Sequence, residues 1–384
     1  MSTTQTPLTT SSINNILPVE MLVLIFEEHA KQEWRAPTID GRVCSLWRQI
    51  ILNAPRAWAY LEIYGNNRPS IVELRSWLRR SAAAPLHIRV SSDFTFDKHT
   101  NTPTLYDLLC EHHARIASLR MGEGKHTFLA GKDFPSMRHL TIYSWSYEWL
   151  GAPSCPYRWG LMPKLRSLRL GATDSTVTPL DGVSSLKILI LNYANCVSLP
   201  RHSPSLTRLM LSNVSLEGIV LGPLPFPSLT YLSLFNVTGL KLYMDVPHLV
   251  TYHEGGNGIS ESFPTSLRSI VEYGVLYSRA TVPDVAHWHL TFTNISRLSI
   301  TAYSKILVGL LDSLASHPHV LPAVRTICVR SMVYGPNEDD RRLMMESVRV
   351  RSETRQMDIA LYFNMVEPFK IPLFFAYVIC QPLK

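Results

Sequence analysis

One short hydrophobic pattern recurs along most of the chain. It consists of an apolar residue, two other residues, a second apolar residue, one other residue and a third apolar residue. Its four regular copies begin at Leu165, Leu186, Leu206 and Leu229, at intervals of 21, 20 and 23 residues. The last two apolar positions alternate with polar ones, as a half-buried β-strand requires. The pattern therefore predicts one short strand in each repeat.

The intervals between copies lie in the range of about 20–29 residues that is typical of leucine-rich repeats. Looser copies begin at Ile116, Met137, Ile295 and Val324. The sequence resembles leucine-rich-repeat solenoids, in which parallel strands stack along one concave face. This resemblance implies an α/β fold in which residues 116–384 form an irregular solenoid, or horseshoe. An α+β domain without a true solenoid is the alternative.

Some repeats depart from the pattern. The copies that we align at Leu249 and Leu267 place Glu254 and Glu272 where the third apolar residue is expected. On this alignment the second copy lies 28 residues before the next one, which leaves room for additional structure. Farther along, leucines at helical spacing predict a helix over residues 305–316.

Residues 13–64 carry a helical pattern instead. Apolar residues recur at helical spacing over residues 17–26, which open with a Leu-Pro pair, and again over residues 43–51. Pro55 ends the second helix because proline cannot continue a helix. Within the intervening residues 27–41, we expect a proline-containing loop that interrupts the helices. Helices this short cannot bury a sufficient core alone, so we expect them to pack on a neighbour, in this chain or in a partner.

The order of these motifs resembles the F-box family, in the form that is common in fungi. The matching motifs are Leu17-Pro18, Ile25-Phe26, Val43-Cys44, Trp47-Arg48 and the closing Pro55–Trp58. The resemblance continues with an expected helix over residues 72–80 and an expected strand over residues 85–90. It implies that the helices bind a Skp-family adaptor through Leu17, Pro18, Leu22, Ile25, Phe26, Val43, Cys44, Trp47 and Trp58. An ordinary helical cap on a larger domain is the alternative.

The same resemblance implies a function for the whole chain. F-box proteins are substrate-recognition subunits of cullin–RING ubiquitin ligases: they reach a cullin through the adaptor and hold a protein target on their repeats. We expect a disordered tail over residues 1–12, an F-box-like module over 13–64, linking helices with the first strand over 65–115, and repeats over 116–384. A non-catalytic repeat scaffold, or an adaptor-bound protein without a ligase role, is the alternative.

A target-binding face follows from the strand pattern. If the leucines point into the core, the residues between them line the concave face, where arginine and aromatic residues suit protein recognition. An exposed strand face also collects such residues without a partner. We expect Arg169, Arg208, Tyr231 and Phe235 to occupy equivalent positions and form one patch. The complete predicted face comprises Arg120, His139, Tyr143, Arg169, Arg208, Met210, Tyr231, Phe235, Arg297 and Arg330.

The sequence contains no familiar catalytic signature. It has no G-x-S-x-G elbow and no H-E-x-x-H motif. The pairs His287/His289 and His317/His319 lack the third ligand that a zinc site needs. We therefore expect neither a catalytic centre nor a metal or other cofactor. An enzyme whose site no motif reveals is the rival interpretation from a different class.

Composition and charge bear on the class of protein, its cellular compartment and its partners. A content of 46% apolar and 17% charged residues is typical of a folded protein. No apolar run approaches the ~18–20 residues that span a bilayer, and the N-terminus lacks a secretory signal. The six cysteines are scattered, which favours reduced thiols in the cytoplasm or nucleus. The net charge of +7 includes no dense cluster of lysine and arginine, so we expect no nucleic-acid partner.

Overall fold

The computed structural model describes residues 17–63, 69–90, 105–122, 132–143, 162–173, 183–194, 203–214, 224–237, 244–255, 269–276, 294–331, 336–356 and 359–365. The expected tail over residues 1–12 lies outside these ranges. The chain divides into two compact units. Unit 1 comprises residues 1–146 and 155–165, and unit 2 comprises residues 147–154 and 166–384.

Unit 1 begins with helices and continues with parallel strands. Its helices are α1 (Val19–Gln32), α2 (Ala36–Asp40), α3 (Ser45–Leu52), α4 (Ile71–Arg80) and α5 (Leu105–Glu111), with short 3₁₀ turns at Pro55–Trp58 and His113–Arg115. Its strands are β1 (Tyr60–Ile63), β2 (Leu86–Val90), β3 (Ile116–Met121) and β4 (His139–Tyr143). The four strands pair in chain order and are all parallel. The repeating sheet therefore starts at residue 60, before the first strand that the sequence predicts.

The ends of the N-terminal helices follow from local chemistry. Helix α1 begins directly after Pro18. Helix α3 begins at Ser45, because the Cys44 sulfur caps it by accepting a hydrogen bond from the Trp47 amide. Val43 therefore precedes the helix that was expected to include it. The proline-containing loop expected within residues 27–41 is also wrong. Pro37 lies in the first turn of α2, where it breaks no hydrogen bond, and residues 27–32 still belong to α1.

Three tryptophans close the core of unit 1. The ring of Trp77 on α4 packs against the rings of Trp58 and Trp34, with centroids 4.7 Å and 5.2 Å away. All three residues are almost completely buried. The Trp58 indole also donates a hydrogen bond of 2.9 Å to the carbonyl of Ile51 at the end of α3. Helix α4 of the same chain thus supplies the neighbour that the short helices need.

Unit 2 is a parallel β-solenoid of stacked coils with few helices. Its strands are β5 (Ser167–Thr173), β6 (Ile188–Ala194), β7 (Arg208–Ser212), β8 (Leu224–Pro225), β9 (Tyr231–Phe235), β10 (Met244–Asp245), β11 (Thr251–Gly255), β12 (Glu272–Leu276), β13 (Arg297–Ala302), β14 (Thr326–Ser331) and β15 (Ala360–Met365). All of them except β8 and β10, which pair with each other, form one parallel ladder in chain order. Its helices are α6 (Ser304–Ser316) and α7 (Glu338–Arg355). The predicted α/β class and the parallel repeat strands are confirmed.

The leucines of the regular repeats form the core of unit 2. Leu168, Leu189, Leu209 and Leu232 follow one another in register across β5, β6, β7 and β9. All four are at most 1% exposed. Each coil can bury its apolar side only against the next coil, so this column holds the stack together. At the third apolar position, Leu234 is only partly buried, unlike its counterparts in the three preceding strands.

The alignment of one repeat is wrong. Tyr252 pairs with Tyr273, and Glu254 pairs with Val275. The copy that we aligned at Leu267 therefore begins at Ile270, and Glu272 does not replace an apolar residue. Leu267 and Ile270 have the spacing of the first two apolar positions and so suggest the wrong start, whereas the fully buried Tyr273 occupies the true second position. Leu267 itself lies outside the described residues.

Candidate functional site

The N-terminal helices of unit 1 present apolar side chains to solvent. The residues involved are between 38% and 60% exposed, and we call them the helical apolar surface: Met21, Leu24, Ile25, Ile39, Val43 and Leu46. On α1, Met21, Leu24 and Ile25 line an open groove of about 370 Å³ together with Glu28, His29 and Gln32. A concentration of exposed apolar residues on a folded unit is typical of a binding surface.

The opposite side of α1 belongs to the core. Leu22 and Phe26 are buried, and the Phe26 ring makes an edge-on contact with Trp47, with centroids 5.0 Å apart. Helix α1 is thus apolar on two sides. The first side closes unit 1, and the second side is about half exposed to solvent.

The predicted adaptor-binding residues divide between these two sides. Pro18, Ile25 and Val43 are exposed, Leu17, Cys44 and Trp47 are partly buried, and Leu22, Phe26 and Trp58 lie in the core. Sequence reasoning missed four members of the helical apolar surface: Met21, Leu24, Ile39 and Leu46. A usable signal existed, because Met21, Leu24 and Ile25 repeat the i, i+3, i+4 spacing of a second stripe.

A polar contact fixes α2 against α1 beside this surface. The Nδ1 atom of His29 lies 3.0 Å from a carboxylate oxygen of Asp40, which is nearly buried. Because Ile39 neighbours Asp40, this contact also fixes the place of Ile39 relative to α1. This contact therefore restrains one member of the helical apolar surface, Ile39, relative to the groove on α1.

A second candidate surface lies on unit 2, on the face of the sheet opposite the leucines. Five residues from adjacent strands β7, β9, β11, β12 and β13 form a continuous line, which we call the polar row: Arg208, Tyr231, His253, Glu272 and Arg297. The Arg208 guanidinium lies 4.1 Å from the centre of the Tyr231 ring. The Tyr231 hydroxyl lies 3.2 Å from Nδ1 of His253.

The carboxylate of Glu272 completes the polar row. One oxygen of Glu272 lies 3.9 Å from Nε2 of His253 and 3.8 Å from Nε of Arg297. His253, and more weakly Arg297, hold the pKa of Glu272 below its usual range, so this carboxylate stays ionised. The row thus combines two arginines, an imidazole and an aromatic ring with a single negative charge.

Small neighbouring residues make room for His253. Its strand partners are Ser233 on one side and Gly274 on the other. A Cβ atom at position 274 would lie only 2.5 Å from the His253 ring. Glycine at this position is therefore needed for the imidazole to reach both Tyr231 and Glu272.

The structure scatters the predicted target-binding residues. Arg208, Tyr231 and Arg297 belong to the polar row, whereas Arg120 stacks on Tyr143 in unit 1 with 5.2 Å between the guanidinium and the ring. His139 is exposed, Arg169, Phe235 and Arg330 are partly buried, and Met210 is buried.

The expected patch of Arg169, Arg208, Tyr231 and Phe235 is wrong. Arg208 and Tyr231 pair directly, but Arg169 pairs with Ile190 in a different column, and Phe235 lies at the far end of β9. The four residues therefore do not occupy equivalent positions. Glu272 was missed because the repeat around it was misaligned. His253 was missed although it lies between the second and third apolar positions of the correctly aligned copy at Leu249.

A buried carboxyl lies on the other side of the same strands. Glu254 accepts hydrogen bonds from the hydroxyls of Tyr252, at 2.7 Å, and of Tyr273. Burial raises the pKa of Glu254 despite these two donors. This cluster replaces one layer of the leucine core, and its position away from the surface suits a structural role.

We also searched the described residues for a metal site. No three histidine, cysteine, aspartate or glutamate residues within the described ranges could hold a metal ion together. The rings of His317 and His319 lie 5.9 Å apart, and the pair His287/His289 falls outside the described residues. No helix in the described part of the chain is long and apolar enough to cross a membrane.

Neither a protein-family model nor a curated protein matches this chain.

Proposed function

We propose that this protein is the target-recognition subunit of a ubiquitin ligase of the Skp–cullin–F-box type. The N-terminal helices bind a Skp-family adaptor, and the solenoid holds a protein target. The motifs between Leu17 and Trp58 resemble an F-box, and the helical apolar surface is the observation that carries the proposal. The protein performs no chemistry itself but raises the effective concentration of the target near the ligase.

The closed core of unit 1 supports this assignment. Trp34, Trp58 and Trp77 already bury one side of the short helices within the same chain. Met21, Leu24 and Ile25 therefore remain available to a partner and are not needed to complete the fold. Burial of such side chains on binding would supply about 25 cal/mol per Å² of apolar area.

Co-expression with an adaptor and a cullin tests the proposal. We expect the chain to co-purify with both proteins and to lose both when Ile25, which is 46% exposed, becomes Asp. The matched control is Val72→Asp on α4, because Val72 is 77% exposed and lies outside the helical apolar surface. Retention of the adaptor by Ile25→Asp would contradict the assignment. Binding of the adaptor without a cullin would support the alternative, an adaptor-bound protein without a ligase role.

A further inference from the structure

Among the described strand residues of the solenoid face, arginines outnumber carboxylates. Along strands β5–β14, the described residues that point away from the leucine core include four arginines, Arg169, Arg208, Arg297 and Arg330, and one carboxylate, Glu272. Exposed like charges on a folded surface attract groups of the opposite sign. A partner for this face should therefore be acidic.

The distribution of the arginines indicates the form of that partner. Arg208 lies on β7 and Arg297 lies on β13, four positions farther along the ladder. Neighbouring strands are about 4.8 Å apart, so the two backbones are separated by about 19 Å. A single phosphate is too small to serve both arginines at their strand positions. Several carboxylates along an extended chain match this spacing better.

The polar row already holds one carboxylate in the way that we infer for the partner. One oxygen of Glu272 lies 3.9 Å from Nε2 of His253 and 3.8 Å from Nε of Arg297, so this carboxylate sits between two groups that can carry positive charge. At the other end of the row, the Arg208 guanidinium stacks on the Tyr231 ring, and no ion pair between described residues includes Arg208. The positive charge at the Arg208 end therefore has no carboxylate partner within the described part of the chain.

The column of the sheet beside the row is closed. Ser233 and Gly274, the strand partners of His253, are both buried. Contact with a partner therefore runs through the partly exposed Arg208, Tyr231 and Glu272 and the exposed Arg297.

We infer that this face binds an extended acidic segment of the target, with carboxylates spaced to meet Arg208 and Arg297. The inference rests on the proposed function, because it assigns the class of target to the solenoid. Tyr231 and His253 hold Arg208 and Glu272 in place, so the row is formed before the segment binds. Charge-assisted hydrogen bonds from arginine to carboxylate are stronger than neutral ones.

Fluorescence anisotropy with the full chain tests this inference. The probe is a fluorescein-labelled peptide of alternating aspartate and serine, about eight residues long, since an extended chain advances about 3.3–3.6 Å per residue. One comparison peptide carries asparagine for every aspartate. A second carries asparagine and one phosphoserine. We expect binding of the aspartate peptide alone, weakening as salt is added.

The variant Arg208→Glu/Arg297→Glu should weaken binding of the aspartate peptide roughly tenfold or more. The control Arg75→Glu/Arg79→Glu makes the same change in net charge at exposed positions of α4 and should leave binding unchanged. If the first pair lowers the melting temperature, Arg208→Gln/Arg297→Gln gives the same comparison with uncharged side chains. Equal loss in both glutamate pairs would show a general charge effect and overturn the inference.

Two further outcomes would also overturn it. Equal affinity for the phosphoserine peptide would mean that the face binds a single phosphate. Unchanged binding of the aspartate peptide by the Arg208/Arg297 variants would mean that the peptide binds elsewhere on the chain. The adaptor distinguishes these failures from failure of the proposed function. The Arg208/Arg297 variants should still co-purify with the adaptor, whereas Ile25→Asp should lose the adaptor and still bind the peptide.

Discussion

The ring of Trp77 on helix α4 packs edge-on against the ring of Trp58, with their centroids 4.7 Å apart. The two residues lie on either side of the expected boundary between the F-box-like module and its linker. This contact means that the N-terminal helices and α4 share one core. The module can therefore expose a second apolar side without losing its fold.

Truncation of Trp77 should destabilise the N-terminal helices. Trp77→Ala removes the ring that contacts both Trp58 and Trp34, so we expect a loss of about 3–5 kcal/mol in the free energy of unfolding. Urea unfolding followed by circular dichroism measures this loss. Val72→Ala on the same helix is the control and should change little, because Val72 is exposed. Similar values for both variants would contradict the shared core.

We expect glycine to be needed at position 274 only because the His253 ring lies against it. Gly274→Ala places a methyl group against the imidazole and should cost about 1–3 kcal/mol. In a His253→Ala background the same substitution should be nearly neutral, because the clashing ring is gone. A double-mutant cycle in thermal or urea unfolding measures the coupling. An equal cost of Gly274→Ala in both backgrounds would mean that His253 is not the neighbour that requires glycine.

Because of Glu254, we expect the free energy of unfolding to fall as pH rises. Because its pKa is raised in the folded chain, the folded state binds the proton more tightly than the unfolded state. This contribution is fully present below the ordinary glutamate pKa of about 4.3 and is lost as pH rises through the folded value. Glu254→Gln should therefore gain stability relative to the wild type with rising pH. A difference between the two proteins that does not vary with pH would refute this prediction.

Arg351 on α7 should be essential for the end of α6. Its buried guanidinium donates hydrogen bonds to the carbonyls of Leu314, Val320 and Leu321. Arg351→Met keeps much of the volume but leaves these carbonyls unpaired, at a cost of about 1–3 kcal/mol for each buried group. Chemical unfolding should show a large loss for Arg351→Met and little for the exposed Arg349→Met. Equal, small effects would show that water replaces the guanidinium.

The solenoid could be predicted because one feature, the leucine column, recurs in every regular coil. Leu168, Leu189 and Leu209 are apolar residues at constant spacing, and only a stacked parallel sheet buries them all. The coil of Tyr273 was misaligned because Leu267 and Ile270 offer a competing apolar pair three residues earlier. Helix α7 was not predicted, since Ser347 and Arg351 belong to its buried stripe together with Met344 and Val348, so the stripe is not apolar throughout.

The two surfaces were harder to predict. Helical spacing identified Leu22 and Phe26, but it could not tell the buried stripe of α1 from the exposed one, because both are apolar. Whether Ile25 faces the core or solvent depends on the packing of α2, α3 and α4 around α1. On the solenoid, the neighbours of Arg208 depend on strand register, and an error of three residues concealed Glu272 and its contact with His253.

The most direct test of the account is the affinity between the purified chain and a purified Skp-family adaptor. Titration calorimetry should show specific binding by the wild type and by the control Val72→Asp. The variant Leu24→Asp/Ile25→Asp should bind at least about a hundredfold more weakly, since two apolar side chains of the interface become charged. Its circular dichroism and melting temperature should remain those of the wild type, because both positions are exposed. Undiminished affinity in a folded Leu24→Asp/Ile25→Asp variant would contradict the assignment of this surface to the adaptor.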